Sequence, residues 1–177
     1  MEYQIIRRNR KTIAIQIKVD GQIVVRCPIR MQAGEVERFV ASKESWIRKH
    51  LSRLRNWNTE PFEEREIENC RKQAEVLVCE RVAHYASEMG VSYGRITIRT
   101  QKTRWGSCSS KGNLSFNALL AVVPADVLDY VVVHELCHLR VMNHSEQFWE
   151  EVRKILPNYE QSKLWLRENG SCLIARL

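Results

Sequence analysis

The sequence predicts an α+β protein with a small antiparallel sheet and several amphipathic helices, and three observations carry that reading. Ile13, Ile15, Ile17 and Val19 alternate up to Asp20-Gly21 and the pattern resumes at Ile23, which is how two strands joined by an Asp-Gly hairpin read. Two long stretches between Ala33 and Met89 then place apolar residues at three- and four-residue intervals, the stripe of helices that bury one face. Ile96 and Ile98 begin a further short alternating run.

Taken in order, Tyr3 to Cys27 supplies the hairpin and its small sheet. Ala33 to Leu54 is expected as one helix with Val36, Phe39, Val40, Trp46, Ile47, Leu51 and Leu54 inward and Arg48, Lys49, Arg53 and Arg55 outward. The segment "NWNTEP", Asn56 to Pro61, interrupts it and reads as a hinge, dividing the chain into a basic N-terminal β-hairpin and helix lobe, 1–58, and a larger core, 59–177. Phe62 to Met89 is a second long helix with Ile67, Cys70, Ala74, Leu77, Val78, Val82, Tyr85 and Met89 inward, stopped by Gly90. The stretch "TRWGSCSSKGNLSFN" gives an irregular loop, a Ser-Ser-Lys-Gly turn and a short strand at Asn113 to Asn117. Pro124 suits the first turn of a helix that runs into a histidine cluster, Ser145 caps the next, which ends before Pro157, and a last helix ends at Gly170.

Composition narrows the class. In 177 residues, 44% are hydrophobic and 28% charged, with 7 Gly and 4 Pro, the profile of a folded chain rather than a disordered one. The longest uncharged apolar stretch, Ala118 to Ala125, falls short of the roughly 18 residues a membrane span needs. "MEYQIIRRNRKT" lacks the apolar core of a secretion signal, so no membrane association and a cytoplasmic location are expected. Cys27, Cys70, Cys79, Cys108, Cys137 and Cys172 show no paired spacing and are expected to be reduced. The net charge is +7, and residues 1–60 alone carry 13 Lys+Arg against 6 Asp+Glu, which favours a polyanionic partner such as nucleic acid or a nucleotide for that lobe. Nothing in the sequence points to an oligomeric state.

The chemistry lies in "VVVHELCHLRVMNHSEQFW". On a helix, His134 and His138 lie about 40° apart around the axis and about 6 Å along it, so both imidazoles reach one ion. Glu135 flanks that site in the His-Glu-x-x-His arrangement, in which two imidazoles hold zinc and the carboxylate accepts a proton from water. A catalytic zinc takes three protein ligands, and His144 is the candidate for the third. On an unbroken helix it would sit about 9 Å beyond His138, so the helix must end first. Asn143 tolerates the left-handed conformation that closes a helix, and Ser145 restarts one. One zinc ion on His134, His138 and His144 follows, other first-row divalent ions being compatible, with Glu135 as general base of a hydrolase. Glu146 and Glu150 are candidate partners for the ring N–H groups, although both fit solvated helix positions. His50 and His84 read as structural or exposed, and Cys137 as packing.

With these residues in hand, the chain resembles the YgjP-like zincin metallopeptidases, related to the WLM and SprT-like families. The likeness is densest in "TRWGSCSSKGNLSFN", "VVVHELCHL" and "MNHSEQFW" followed by Leu-Pro. It implies a zincin-like metallohydrolase core in 59–177, zinc on the three histidines, Glu135 as base and a protein or peptide substrate. It further implies that Asn113 to Asn117 is an edge strand pairing with an extended substrate, making Asn113, Ser115 and Asn117 substrate-binding, and that Trp105-Gly106-Ser107 walls the cleft. The spacing from His134 to His144 also equals that of metzincins, but Val141 stands at their glycine position and no methionine turn follows.

Two other functions fit parts of the sequence. The same site can hydrolyse a non-peptide substrate such as a nucleotide phosphoanhydride, as a pyrophosphatase does, although no phosphate-binding glycine loop is present. Alternatively the metal is structural and Arg7, Arg8, Arg10 and Lys11 contact nucleic acid, a reading that leaves Glu135 without a task.

Overall fold

The computed structural model of the chain describes residues 2–18, 20–56 and 60–177. Val19 and residues 57–59 of the expected hinge lie outside the described residues, as do the side chains of Arg53, Leu54 and Arg55. Two compact units emerge, Met1–Glu60 and Pro61–Leu177.

In the first unit, strands β1 (Gln4–Arg8), β2 (Ala14–Ile17) and β3 (Ile23–Pro28) form a sheet in the order β1-β3-β2. The expected hairpin is present: β2 and β3 are antiparallel, Gly21 adopts φ 82°, and the Gln22 amide donates to Asp20 Oδ1. The sheet is not purely antiparallel, because β1 lies on the far side of β3 and runs parallel to it. β3 takes the centre since it is the most apolar strand, with Ile23, Val24, Val25 and Cys27 buried. The single expected helix is two, α1 (Ala33–Ser42) and α2 (Glu44–Asn56), separated at Lys43, whose φ of −108° leaves the helical region. That break re-phases the apolar stripe: Val36, Val40 and Ile47 are buried, while Trp46 turns outward and is 44% exposed.

The second unit begins with α3 (Glu64–Met89), which Gly90 closes in the left-handed conformation at φ 63°, as expected from sequence. A second mixed sheet follows from β4 (Ile96–Arg99), β5 (Gly106–Cys108) and β6 (Leu114–Asn117), in the order β4-β6-β5. β6 pairs parallel with β4 and antiparallel with β5. Leu114 and Phe116 point from β6 into a core shared with Val78 and Val82 of α3 and with α4 (Ala125–Cys137). A 3-10 turn at Ala118–Val122, unforeseen in the sequence, buries Ala118, Leu119 and Leu120, and Asn117 caps it by accepting a hydrogen bond from the Leu119 amide.

α4 carries His134, is capped by His138 and is apolar almost all round, as a central helix must be. An Arg81 to Asp129 pair, with both guanidinium contacts at 2.5 and 2.6 Å, ties it to α3, and the Tyr85 hydroxyl donates to the same carboxylate. α5 (Glu146–Ile155) and α6 (Tyr159–Ile174) complete the unit. No described helix is long and apolar enough to cross a membrane, and no disulfide joins the described cysteines.

Gly170 does not end the last helix. α6 runs through it to Ile174, and the Trp105 indole lies against the glycine, where a Cβ would fall 2.9 Å from Nε1. The missing side chain makes room for the ring. Gly170→Ala is therefore expected to destabilise the protein by about 1–3 kcal/mol, although alanine is the better helix former elsewhere. Urea unfolding checks this, and a neutral or stabilising result would show that Trp105 is free to move.

Candidate metal centre

α4 ends at Cys137 and His138 is its C-cap, still in right-handed geometry. The helix thus stops earlier than Asn143, and no described residue other than glycine has a positive φ, so Asn143 does not close it in the left-handed conformation. The stretch 139–145 instead leaves the helix through turns, with the Leu139, Arg140 and Val141 amides donating back to Leu136 and Cys137 carbonyls. Asn143 shapes the far end, its Oδ1 accepting from the Ser145 amide at 3.3 Å. Ser145 occupies the N-cap of α5, but its hydroxyl makes no cap bond. The physical reason is that turns and an Asx bond satisfy the backbone that a left-handed cap would otherwise serve.

The result brings His134, His138 and His144 together, one ligand atom of each lying within 4.8 Å of the others. Nε2 of His134 and Nε2 of His144 face each other at 3.0 Å. His138 turns its Nδ1 to the Val141 carbonyl at 3.1 Å, which as donor leaves Nε2 as the lone pair toward the cluster. His134 Nδ1 is buried without a partner. Burial, and then His138, His144 and Lys163, hold His134 down to about 3, so this ring is neutral at any ordinary pH. Burial likewise lowers His138. Imidazole nitrogens this close would repel one another if both carried protons, whereas their lone pairs can share one ion, so the donor set fits a divalent ion that accepts nitrogen, zinc among them.

Two residues that the sequence reading passed over hold this cluster. Phe148 touches all three imidazoles, with ring centroids 4.6–4.8 Å away. Trp149 stacks on His144 at 5.7 Å, and the Lys163 ammonium lies over the Trp149 ring, 3.9 Å from its centroid. Their positions in the first turn after the Ser145 cap were the available signal.

Glu135 is only 5% exposed, and burial pushes its carboxyl up to about 8, against the pull of Arg104. It faces β5: a Cβ on Gly106 would lie 2.6 Å from its Oε1 and 2.7 Å from its Cγ. Together with Trp105, Tyr130, Val131 and His134, these two residues line a cleft of about 220 Å³. Gly106→Ala is expected to displace either β5 or the carboxylate, lowering kcat/KM about 100-fold, with the metal content of the purified protein unchanged. Parallel kinetics and metal analysis check both halves.

The remaining expected residues lie elsewhere. β6 is not an edge strand, since β4 and β5 occupy both of its hydrogen-bonding sides, so the backbone of Asn113 to Asn117 has nothing left to offer a substrate strand. Asn117 is fully buried and its amide holds the Gln101 and Arg104 carbonyls. Asn113 Oδ1 accepts from the Arg95 amide, and Ser115 Oγ is buried without a partner on the sheet face away from the core. The free edge beside Glu135 belongs to β5. Asn117 N donates to the Trp105 carbonyl, Ser109 N to the Asn113 carbonyl, and Ser107 sits opposite Ser115. That alternation leaves the N–H and C=O of Gly106 and Cys108 pointing outward.

Glu146 and Glu150 are exposed on α5. Cys137 is buried in the core, its thiol pushed up to about 12 by burial. His84 pairs with Glu88 at 3.7 Å on the surface and His50 stacks on Trp46.

A family described as YgjP-like, metallopeptidase domain, matches residues 11–70 and 58–169. Among solved structures, the metallopeptidase zymogen of Pyrococcus abyssi abylysin is 22% identical, covers 51% of this chain and 93% of its own, and superposes with a TM-score of 0.46. The metallopeptidase zymogen of Methanocaldococcus jannaschii jannalysin is 20% identical over 52% of this chain and 95% of its own, with a TM-score of 0.47. No curated protein matches the sequence. On the family match, which spans most of the residues and includes the three histidines and Glu135, the chain belongs to the YgjP-like metallopeptidase domain family.

Proposed function

We propose that this chain is a zinc-dependent peptidase that cleaves an extended segment of protein, with His134, His138 and His144 holding the ion and Glu135 as the general base. The observation that carries the reading is the convergence of three imidazoles within 4.8 Å beside a buried carboxylate. A zinc ion held there supplies Lewis acidity toward water and toward the carbonyl under attack.

The protein's own groups do the rest. Glu135 takes a proton from the attacking water and returns it to the departing nitrogen, and its burial gives the carboxylate the raised proton affinity that this shuttle needs. Gly106 brings the backbone of β5 against that carboxylate, so a substrate strand added to the outward groups of Gly106 and Cys108 lies over the reacting site. Trp105 walls the cleft from the other side of Gly106. Val141 holds His138 in the tautomer that presents Nε2.

The test is incubation of the zinc-loaded protein with a diverse peptide library, read by mass spectrometry. Paired fragments that vanish in Glu135→Gln are expected. Intact peptides throughout would overturn the proposal, the more so if a nucleotide panel run beside it lost phosphate.

A further inference from the structure

Between Val91 and Ala125 the sequence carries Arg95, Arg99, Lys102, Arg104 and Lys111 and not one Asp or Glu. The fold gathers three of these five, Arg95, Arg99 and Arg104, on one surface. In the sheet of the second unit, Ile96, Ile98, Leu114 and Phe116 face the core, so the alternation turns Arg95, Thr97 and Arg99 outward together with Ser115 and Ser107. These residues and Arg104 line a groove of about 490 Å³ that crosses the sheet from β4 to the edge strand β5, and no carboxylate and no aromatic ring lines it.

The three arginines are exposed, and none makes an ion pair among the described residues. At the floor of the groove the Ser115 hydroxyl is buried without a hydrogen-bond partner. A surface of guanidinium groups, two of them at Arg95 and Arg99 without a charge partner among the described residues, over an unsatisfied hydroxyl is complementary to carboxylates, which accept several donors at once. Nucleic acid is the poorer fit, because a strand held by a sheet face relies on aromatic platforms under its bases and none is present here.

We infer that this groove is a specificity site that holds an acidic stretch of the polypeptide substrate. Its placement next to the cleaved bond rests on the peptidase reading, whereas the binding itself does not. Strands lie about 4.8 Å apart, so the path from the β5 edge to the arginines of β4 is about 10 Å, and extended chain covers that in about three to five residues. The acidic stretch therefore lies within about five residues of the scissile bond. Arg104, which pulls on Glu135 and also lines the groove, sits at the junction between the two.

The test uses zinc-loaded full-length Glu135→Gln and fluorescent peptides that share one apolar centre and carry Glu, Gln or Lys on each flank, with binding read by anisotropy. The Glu peptide is expected to bind at least about tenfold more tightly than the Gln peptide, with an advantage that shrinks as salt rises. Arg95→Gln/Arg99→Gln should abolish that advantage, while Arg71→Gln/Lys72→Gln on α3, the same loss of charge elsewhere, should preserve it. Equal binding of the Glu and Gln peptides, or an advantage indifferent to the groove variants, would overturn the inference, as would tighter binding of an oligothymidylate of equal length. Wild type that cleaves all three peptides with the same KM would also sink it and leave the peptidase reading intact. Charge-selective binding without any cleavage would uphold the groove and remove the peptidase instead.

Discussion

Glu135→Gln is expected to lower peptide cleavage by about 10²–10⁴-fold while the protein keeps its zinc and its fold. Glutamine fills the same volume against Gly106 and removes only the capacity to take and return a proton. The same substitution has a second readout in the metal-free protein. Burial raises the carboxyl of Glu135 from 4.5 to about 8, so in this pH range the unfolded chain ionises first and folding loses stability as pH rises. His134 acts in the opposite sense below its ordinary value of 6.5, where the unfolded chain takes up a proton that the folded ring refuses down to about 3. From pH 6.5 to 8 Glu135 therefore acts without that opposition, and at about 1.4 kcal/mol per pH unit the wild type should lose about 2 kcal/mol. Urea unfolding at the two ends of that window should show the loss in wild type and its absence in the glutamine variant. A variant that still cleaves at a tenth of the wild-type rate would remove Glu135 from the chemistry.

His144→Ala is the second substitution with a large expected effect. The exposed ring lies beyond the end of α4, so its removal leaves the core intact and deletes one of three ligands. An ion that binds only the folded state stabilises it by about 2.7 kcal/mol when free zinc is 100 times its dissociation constant, which is worth roughly 10 °C in Tm for a unit of this size. The wild type should show that rise on addition of zinc and lose it with a chelator. The alanine variant should show little of either, and its purified form should carry far less zinc. An unchanged rise would mean that the ion sits elsewhere.

Much of the site was legible because its spacing is local. His134 and His138 are joined by helical geometry, and the restart at Ser145 correctly implied that His144 returns toward them. The manner of the return was not legible, since turns after Cys137 and the Asn143 bond do the work expected of a left-handed residue. The edge strand was missed for a different reason. β5 is three residues long and has no apolar alternation, and its identity rests on pairing with β6 and on Gly106 pressing against Glu135, neither of which has a local sequence signature. Gly170 misled in the same way: read locally it ends a helix, and only the distant Trp105 explains why a glycine stands inside one. The end of α3, by contrast, was written in its own residues, with a glycine where the left-handed cap falls.

The attachment of His144 to the start of α5 couples two events that are usually separate. Phe148 and Trp149, one turn further along, are the packing surface of both the helix and the imidazoles. Any fraying that lifts the first turn of α5 also carries off a ligand, so loading the ion should slow amide hydrogen exchange throughout residues 146–152, including amides that never approach it. In such an arrangement the ion is a clasp as well as a reagent, and the rate at which the protein gives it up should follow the opening of that helix.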